Sequence, residues 1–328
     1  MNFFAVLFAL LIEQVKPLPR SNAIHDALIA WVRYAGRNFD AGKAHHSWVV
    51  WSITVVLPAL LAWGVYAALG SVHLVLALSW NVLVLYLTLG FRQFSHYFTD
   101  IRDALERGED DSARALLARW RHLDASELPR RELLRHVIEH SLLAAHRHVF
   151  GVFFWFIVLS TVGLGPAGAV LYRMAEFTSR YWAYRHRTVD APTNPRVLDL
   201  SQRLFGWIDH VPARLTAFGF AVVGNFEEAV SGWRRDAGLW RFANEGIILS
   251  AAAGAVGVQL GGGAAPGLSP DRSRTFEAGT DEVASAEGST PGLPPQNAHL
   301  RSVVALVWRS VVLWMLLLAL LTLANIVG

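Results

Sequence analysis

Residues 47–91 read SWVVWSITVVLPALLAWGVYAALGSVHLVLALSWNVLVLYLTLGF and contain no Asp, Glu, Lys or Arg. Two helices of about 20 apolar residues each can cross the roughly 30 Å hydrocarbon core of a bilayer. Gly70 and Ser71 lie at the middle of the stretch, where the chain would have to turn. Because lipid offers the backbone no hydrogen-bond partners, each half must satisfy its own polar groups as a helix. The stretch therefore predicts a transmembrane helical hairpin.

The composition of the whole chain indicates a membrane protein with large polar segments. Of its 328 residues, 53% are hydrophobic and 17% are charged, against about 25% charged residues in an average soluble domain. The absence of cysteine excludes disulfides, iron–sulfur clusters and cysteine-ligated zinc. Almost all basic residues are arginines scattered along loops, without the aromatic-interleaved basic stripe that a nucleic-acid interface would need. We predict an all-α, polytopic helical membrane protein that binds lipid and no nucleic acid.

Polar segments alternate with the apolar runs and predict a single helical membrane domain. We assign residues 1–260 to this domain, with cytoplasmic helical insertions at about 93–148 and 173–243. Residues 261–298 are rich in Gly, Pro and Ser and predict a flexible loop. Residues 299–328 predict a C-terminal transmembrane helix of the same domain. Within the polar segments, helical patterns fall near residues 20–46 (an amphipathic surface helix), 93–107, 110–121, 130–148, 196–209 and 212–231.

Residues 150–172, a third apolar run, carry glycines and a proline in their second half. Such a run can cross the membrane once, or break and re-enter where protein covers the backbone. Arginine-rich segments on both sides favour a cytoplasmic position for each, which a single crossing would forbid. We therefore expect either a re-entrant segment here or a compensating buried segment at 212–224 or 247–260.

Glu13 closes the apolar run of residues 2–12. A carboxylate within a membrane segment is a functional candidate, although this one could also reach headgroup water. We retain both interpretations.

Two further patterns match known motifs weakly. His136, Glu139 and His140 show the His-x-x-Glu-His spacing of a family of zinc proteases, with His146 and His148 nearby. We predict that these histidines are not a zinc site but one polar side of a helix. The glycines of 163–168 match a dinucleotide-binding spacing without a preceding strand, and we interpret them as a site of helix bending and close packing.

Val211-Pro212-Ala213-Arg214-Leu215 opens an apolar helix. Proline suits the first helical turn, and an arginine beside the free N–H groups there can bind an anion. The alternative is that Arg214 snorkels to lipid headgroups. The small residues of 253–262 allow a ligand or another helix to approach the backbone closely, and we favour tight packing.

Several of these pieces occur in an order that resembles the CobD/CbiB family of cobalamin-biosynthesis membrane proteins and its relative AmpE, a protein linked to β-lactamase regulation. They are Glu139, the Gly-Pro-Gly run ending in Tyr172-Arg173, the Pro212-Ala213-Arg214-Leu215 motif, and AGAVGVQLGG at 253–262. The resemblance covers nearly the whole chain. It implies a multi-pass protein of the bacterial inner membrane that joins an amino-alcohol (aminopropanol or its phosphate) to the carboxylate of adenosylcobyric acid, a corrinoid, with ATP and magnesium.

The resemblance also implies site residues. Acidic candidates for the catalytic role are Glu139, Asp124 and Glu13; candidates for ligand or phosphate binding are Arg173, Arg214, Gln259, Gly257 and Gly261. We predict no resident metal site built by the protein alone. We expect Arg214 and Glu139 to line one polar cavity at the cytoplasmic edge of the membrane, with Gln259 near its wall.

The chain departs from the family pattern at several acidic positions. Of the family's Val-Gly-Arg-Asp-Thr only Asp124 is kept, and the paired aspartates before the Pro-Ala-Arg motif are Phe205 and Gly206 here. Since magnesium–ATP chemistry needs carboxylates, two hypotheses stand: a cobinamide-phosphate synthase, or a non-catalytic AmpE-like sensor or regulatory protein linked to β-lactamase induction or cell-wall signalling. A transporter-like or metal-dependent membrane enzyme is a third, and homo-oligomer formation is left open.

Overall fold

A computed structural model describes residues 2–15, 23–40, 42–121, 125–188, 194–262 and 288–327. Apart from two isolated β-bridges, the regular structure of these residues is helical, as the all-α prediction requires. The helices are α1 (Asn2–Val15), α2 (Ala23–Phe39), α3 (Ala44–Trp51), α4 (Leu57–Val72), α5 (Leu74–Thr88), α6 (Phe91–Glu106), α7 (Asp110–Arg121), α8 (Arg130–Ala145), α9 (Gly151–Thr161), α10 (Ala167–Thr188), α11 (Pro195–Ile208), α12 (His210–Val223), α13 (Phe226–Asp236), α14 (Ala243–Val256) and α15 (Asn297–Val327).

The predicted hairpin forms from α4 and α5. The chain turns at His73, whose extended backbone (φ −161°) separates the helices and whose Nδ1 accepts from the Val75 amide at 3.2 Å. Gly70 and Ser71 remain inside α4, so the turn lies a few residues later than predicted because the His73 side chain caps α5. The Trp80 indole N–H donates to the Ala62 carbonyl at 3.0 Å and ties the two arms together.

Within the described part of the chain, three continuous helical stretches are long and apolar enough to cross a membrane by length and composition: His45–Val72, Arg130–Thr161 and Asn297–Ala324. In the first, a π-helical turn at Ser52–Val56 joins α3 to α4. The second joins α8 to α9, so the predicted polar helix 130–148 continues into the apolar run and is buried on every side from Leu133 to Phe150. Leucines such as Leu61 and Leu321 are exposed on the outer surface of these helices, as expected of a membrane protein.

The apolar run 150–172 breaks instead of crossing once as a single helix. Helix α9 ends at Thr161, and the chain turns through Gly163 (φ +80°) and Gly165 (φ +53°) before α10 begins. A Cβ built on Gly168 would lie 1.9 Å from the carbonyl oxygen of Trp155. The two helices therefore pack backbone against backbone, which the glycines of this run allow.

The region after α10 contains more helices than the sequence pattern indicated. The predicted helix 212–231 is split into α12 and α13, because Asn225 caps α13 by accepting from the Glu228 amide at 3.3 Å. Helix α14 packs against both. A Cβ on Gly254 would lie 2.2 Å from the Glu228 carbonyl oxygen, so the small residues serve tight packing here.

The predicted flexible loop 261–298 is ordered over its last part. Val258 and Gly261 form β-bridges with Leu293 and Ser289, and the Thr290 hydroxyl accepts from the Leu260 amide at 2.8 Å. We call residues 257–262 and 288–293 the strap. The Gly, Pro and Ser content of this segment gave no indication of these backbone pairings. Residues 263–287 of the predicted loop lie outside the described part of the chain.

Candidate functional site

A cavity of about 310 Å³ lies where α10, α11, the start of α12 and the start of α14 meet the turn that joins α8 to α9. Nine of its fourteen described lining residues are polar or charged, and apolar atoms make up the larger part of its exposed lining. The lining residues are Arg147, Ser179, Arg180, Ala183, Gln202, Phe205, Gly206, Asp209, His210, Arg241, Phe242, Ala243, Asn244 and Glu245.

Asp209 lies in the wall of this cavity, between the end of α11 and the start of α12. Its Oδ1 accepts a hydrogen bond from the Tyr172 hydroxyl at 2.8 Å and lies 2.8 Å from Nε2 of His146. Its Oδ2 receives a longer bond from the Asn244 amide, at 3.3 Å. A carboxylate can only accept, so Nε2 of His146 carries the proton of that bond. The carboxylate is thus held in one orientation by donors from three other segments.

The helix that carries His146 and Arg147 is distorted there. Residues His146–Phe150 form a π-helical turn, an irregularity that often occurs at functional sites. His146 is 1% exposed, and its Nδ1 lies 2.9 Å from the Thr216 hydroxyl of α12. His146 therefore connects the π turn to α12 through Thr216. The next residue, Arg147, lines the cavity.

Arginines dominate the charge of the cavity. Arg147 pairs with Glu245 across the lining. Arg180 pairs with the fully buried Glu176, which also accepts from Arg173 at 2.8 Å. Arg241 lies exposed at the rim. Three guanidinium groups against two carboxylates in the lining leave a net positive charge, which favours an anionic ligand.

Glu139 lies in a second polar cluster, at the strap. Its Oε1 accepts from the Gly261 amide at 2.8 Å, and Arg135 donates to the carbonyl of the same glycine. Nearby, Arg131 donates to the Gln259 side chain at 2.6 Å. Gly261 has φ +72°, and a Cβ there would meet the Gly288 carbonyl oxygen at 1.8 Å. Glycine is thus required at 261, where the two segments of the strap meet at Gly288. Glu139 links the strap to α8.

The structure separates the residues that the sequence proposed for one site. Arg214 lies beside the cavity, where it donates to the His210 carbonyl at 2.8 Å and lies 3.4 Å from Asn244 Oδ1. Arg173 donates to Glu176, which in turn pairs with the cavity residue Arg180. Glu139, Gln259 and Gly261 belong to the strap cluster, and neither Glu139 nor Arg214 is among the described residues that line the cavity.

The remaining proposed residues lie elsewhere. Gly257 ends α14 in the left-handed conformation, at φ +76°. Glu13 is buried in α1, at 3% exposure. Asp124 lies outside the described residues.

Sequence reasoning missed the cavity residues Arg147, Asp209, Arg241, Asn244 and Glu245. It named His146 beside the zinc-like pattern but did not foresee its contact with Asp209. One signal was present, because Asp209 and His210 directly precede the Val211-Pro212-Ala213-Arg214 stretch. The others come from separate helices, and only the tertiary fold brings them together.

Neither cluster provides a ready-made metal centre among the described residues, where no group of three or more His, Asp or Glu side chains could hold a metal ion. His136 and His140 of the zinc-like pattern are buried in α8, and each has other interactions. Magnesium in nucleotide sites commonly binds one or two carboxylates together with substrate phosphates. Asp209 and Glu245 line the cavity beside three arginines, and this donor set fits a magnesium ion carried in by a phosphate ligand.

Comparison with known proteins gives consistent results. The family described as CobD/Cbib protein matches residues 2–275. A protein of Stutzerimonas stutzeri (strain A1501) named cobalamin biosynthesis protein CobD is 30% identical over 325 residues, 96% of each chain. A protein of the same name from Chromobacterium violaceum is 35% identical over 191 residues, covering 56% of this chain and 55% of its own. One from Leptospira interrogans is 24% identical over 221 residues, 66% of each chain. No solved structure matches.

Proposed function

The chain belongs to the CobD/Cbib family of cobalamin-biosynthesis proteins, and from this membership we propose that it is an adenosylcobinamide-phosphate synthase. The reaction is the ATP-dependent formation of an amide bond between a carboxylate of adenosylcobyric acid and the amine of aminopropanol or its phosphate. We place the protein in the bacterial inner membrane as a multi-pass protein.

The observation that carries the proposal is the arginine-lined cavity at the start of α12. ATP and a phosphorylated amino-alcohol present phosphate groups, and the corrinoid presents a carboxylate. Guanidinium groups bind both kinds of anion through paired hydrogen bonds. Arg147 is paired with the half-buried Glu245, and Arg180 with the buried Glu176. These pairs hold both guanidinium groups in place, so little side-chain freedom is lost when a ligand binds.

Asp209 supplies the complementary charge for the amine. Tyr172 and His146 occupy its Oδ1, while Oδ2 has only the longer bond from Asn244. A carboxylate fixed in this way can accept a hydrogen bond from the ammonium group of the amino-alcohol and orient its nitrogen. It can also take the proton that the nitrogen must lose before it attacks a carbonyl carbon.

ATP, when bound, supplies the activation that makes the corrinoid carboxylate reactive toward an amine. The chain's contribution is to hold its phosphates by Arg147, Arg180 and Arg241. A magnesium ion accompanying the phosphates would find Glu245 or Asp209 as protein ligands.

Complementation of a bacterial strain that lacks cobinamide-phosphate synthase, grown on cobyric acid, tests the proposal. The wild-type gene should restore cobalamin-dependent growth, and Arg241→Ala should weaken it. Arg203→Ala is the matched control, because Arg203 lies on α11 with its side chain 71% exposed and paired to Asp199. Failure of the wild-type gene to restore growth, with the protein present in the membrane, would contradict the proposal.

The alternative remains a non-catalytic AmpE-like sensor or regulatory protein. It is favoured by the engagement of the cavity's two carboxylates, Asp209 and Glu245, with side chains of the protein itself. A sensor of this kind would bind an anion in the cavity without turnover. Ligand binding by purified protein that never complements the deficient strain would favour it.

A further inference from the structure

Helix α12 presents an apolar stripe on its outer face. Val211, Leu215, Phe218 and Val222 are between 38% and 49% exposed. Their spacing of three or four residues places them on one side of the helix. The opposite side is buried, with Ala213, Ala217 and Phe220 at 0% exposure.

The stripe continues beyond both ends of the helix. Trp207, at the end of α11, is 75% exposed. Phe226, at the start of α13, is 49% exposed, and its ring lies 6.4 Å from that of Phe218. A surface of six large apolar side chains is more than a water-facing helix ordinarily carries.

The depth of α12 follows from its contacts with two of the membrane-length helices. The Phe150 ring lies 5.9 Å from Phe220 of α12 and 6.4 Å from Trp314 of α15. A Cβ on Gly219 would lie 3.8 Å from Nε1 of Trp314. The second half of α12, at Gly219 and Phe220, is therefore level with Trp314.

Helix α15 indicates where the membrane begins. Trp308 and Arg309 are exposed side by side, the pairing of aromatic and basic residues that marks an interface. Beyond them Val312, Leu316 and Leu320 are exposed by 54% or more. Trp314 lies five residues past Arg309, about 7.5 Å along the axis at 1.5 Å per residue. Interfacial helices bury their apolar face by about 5–10 Å, and the distance of Trp314 from Arg309 along the axis falls in that range.

We propose that the exposed stripe of α12 lies in the acyl chains just inside one membrane surface. Helix α12 is then a lipid-contacting helix in addition to the three membrane-length stretches. Helix α13, whose Glu227, Glu228, Arg234 and Arg235 are exposed, lies on the aqueous side. Because Asp209 and His210 stand at the start of α12, the arginine-lined cavity opens at the membrane surface.

Site-directed fluorescence tests the placement directly, because the chain has no cysteine and a single introduced one carries the only label. We would attach NBD to Phe218→Cys and to Val222→Cys in phospholipid vesicles. Ser231→Cys, exposed on α13, is the aqueous control, and Leu320→Cys on α15 is the lipid control.

We expect the Phe218→Cys and Val222→Cys labels to resemble Leu320→Cys. Their emission should be blue-shifted, quenched by lipids with a nitroxide near the top of the acyl chain, and insensitive to aqueous iodide; Ser231→Cys should behave oppositely. Quenching of the stripe labels by iodide would overturn the proposal. Protection from both quenchers would overturn it as well, because a second copy of the chain would then cover the stripe. Neither result depends on synthase activity.

Discussion

At the scale of the residue, Asp209 gathers the most interactions in the candidate site. It is 5% exposed and touches Tyr172, His146 and Asn244 from three separate segments. A motif search could not find it, because its partners are distant in the chain. The sequence contains one part of the signal, which is that Asp209 lies three residues before Pro212-Ala213-Arg214.

Asp209→Asn tests whether this carboxylate recognises an amine. The wild-type protein should bind 2-aminoethyl phosphate more tightly than ethyl phosphate, which has the same phosphate and no amine. Asp209→Asn keeps the shape and removes the charge, so the preference should disappear while binding of ethyl phosphate remains. Titration calorimetry on purified protein measures both ligands. An unchanged preference in Asp209→Asn would assign the amine to another residue.

Glu139 shows how a residue predicted from sequence can have a different setting in the structure. We expect its main contribution to be structural, through the bond from the Gly261 amide that fastens the strap. Glu139→Leu leaves that buried amide unpaired and should destabilise the protein by about 1–3 kcal/mol, whereas Glu139→Gln keeps an acceptor and should cost less. Thermal unfolding in detergent compares the two.

Asp199→Asn, at the exposed pair with Arg203, is the control for that measurement. A surface pair contributes about 0–1 kcal/mol, so this variant should unfold near the wild-type temperature. Unchanged stability of Glu139→Leu together with lost complementation would instead support the catalytic role that the family resemblance implies.

At the scale of the element, hydrophobic periodicity and charge predicted most of the helices. The positions of the glycines in 163–168 and 253–262 predicted where helices pack closely. Helices near 93–107 and 110–121 were predicted and appear as α6 and α7. The arginines and histidines of α8 made it look like a polar surface helix in the sequence. In the structure they are largely buried, and several have partners on other segments, which only the tertiary fold supplies. The break between α12 and α13 was missed because Asn225 acts as a cap at a position that periodicity alone does not mark.

The α9–α10 packing depends on the absence of a side chain at residue 168. Gly168→Ala would place a Cβ 1.9 Å from the Trp155 carbonyl oxygen, and backbone cannot yield as a flexible side chain can. We expect severe loss of folded protein, measured by size-exclusion chromatography after solubilisation. Gly64→Ala is the control: nothing lies within 4 Å of its Cβ, and alanine favours a helix by roughly 0.5–1 kcal/mol. Normal folding of Gly168→Ala would contradict the close packing of these helices.

At the scale of the whole molecule, the uncharged stretch 47–91 was sufficient to predict an all-α membrane protein. It was insufficient to place residues 150–172, since charge counting left several topologies open. The structure resolves this run into a turn between α9 and α10, which is compatible with arginine-rich segments on one side of the membrane. The cavity could not be predicted from the sequence, because five separate segments build it.

Topology reporters test this arrangement in cells. A fusion at Gly108, in the turn after α6, should report the cytoplasm because the surrounding segment is arginine-rich. A fusion at Gly70, near the α4–α5 turn, should report the opposite side. A cytoplasmic signal at Gly70 would show that the hairpin does not cross the bilayer.

The most direct measurement of the central claim is product formation by the purified protein in phospholipid vesicles. The reaction contains adenosylcobyric acid, aminopropanol phosphate, ATP and magnesium, and mass spectrometry follows the corrinoid. We predict an ATP-dependent product whose mass equals the two substrates joined with loss of one water, and much less of it with Arg241→Ala than with Arg203→Ala. An unchanged corrinoid mass, under conditions in which an active member of the same family forms the product, would contradict synthase activity.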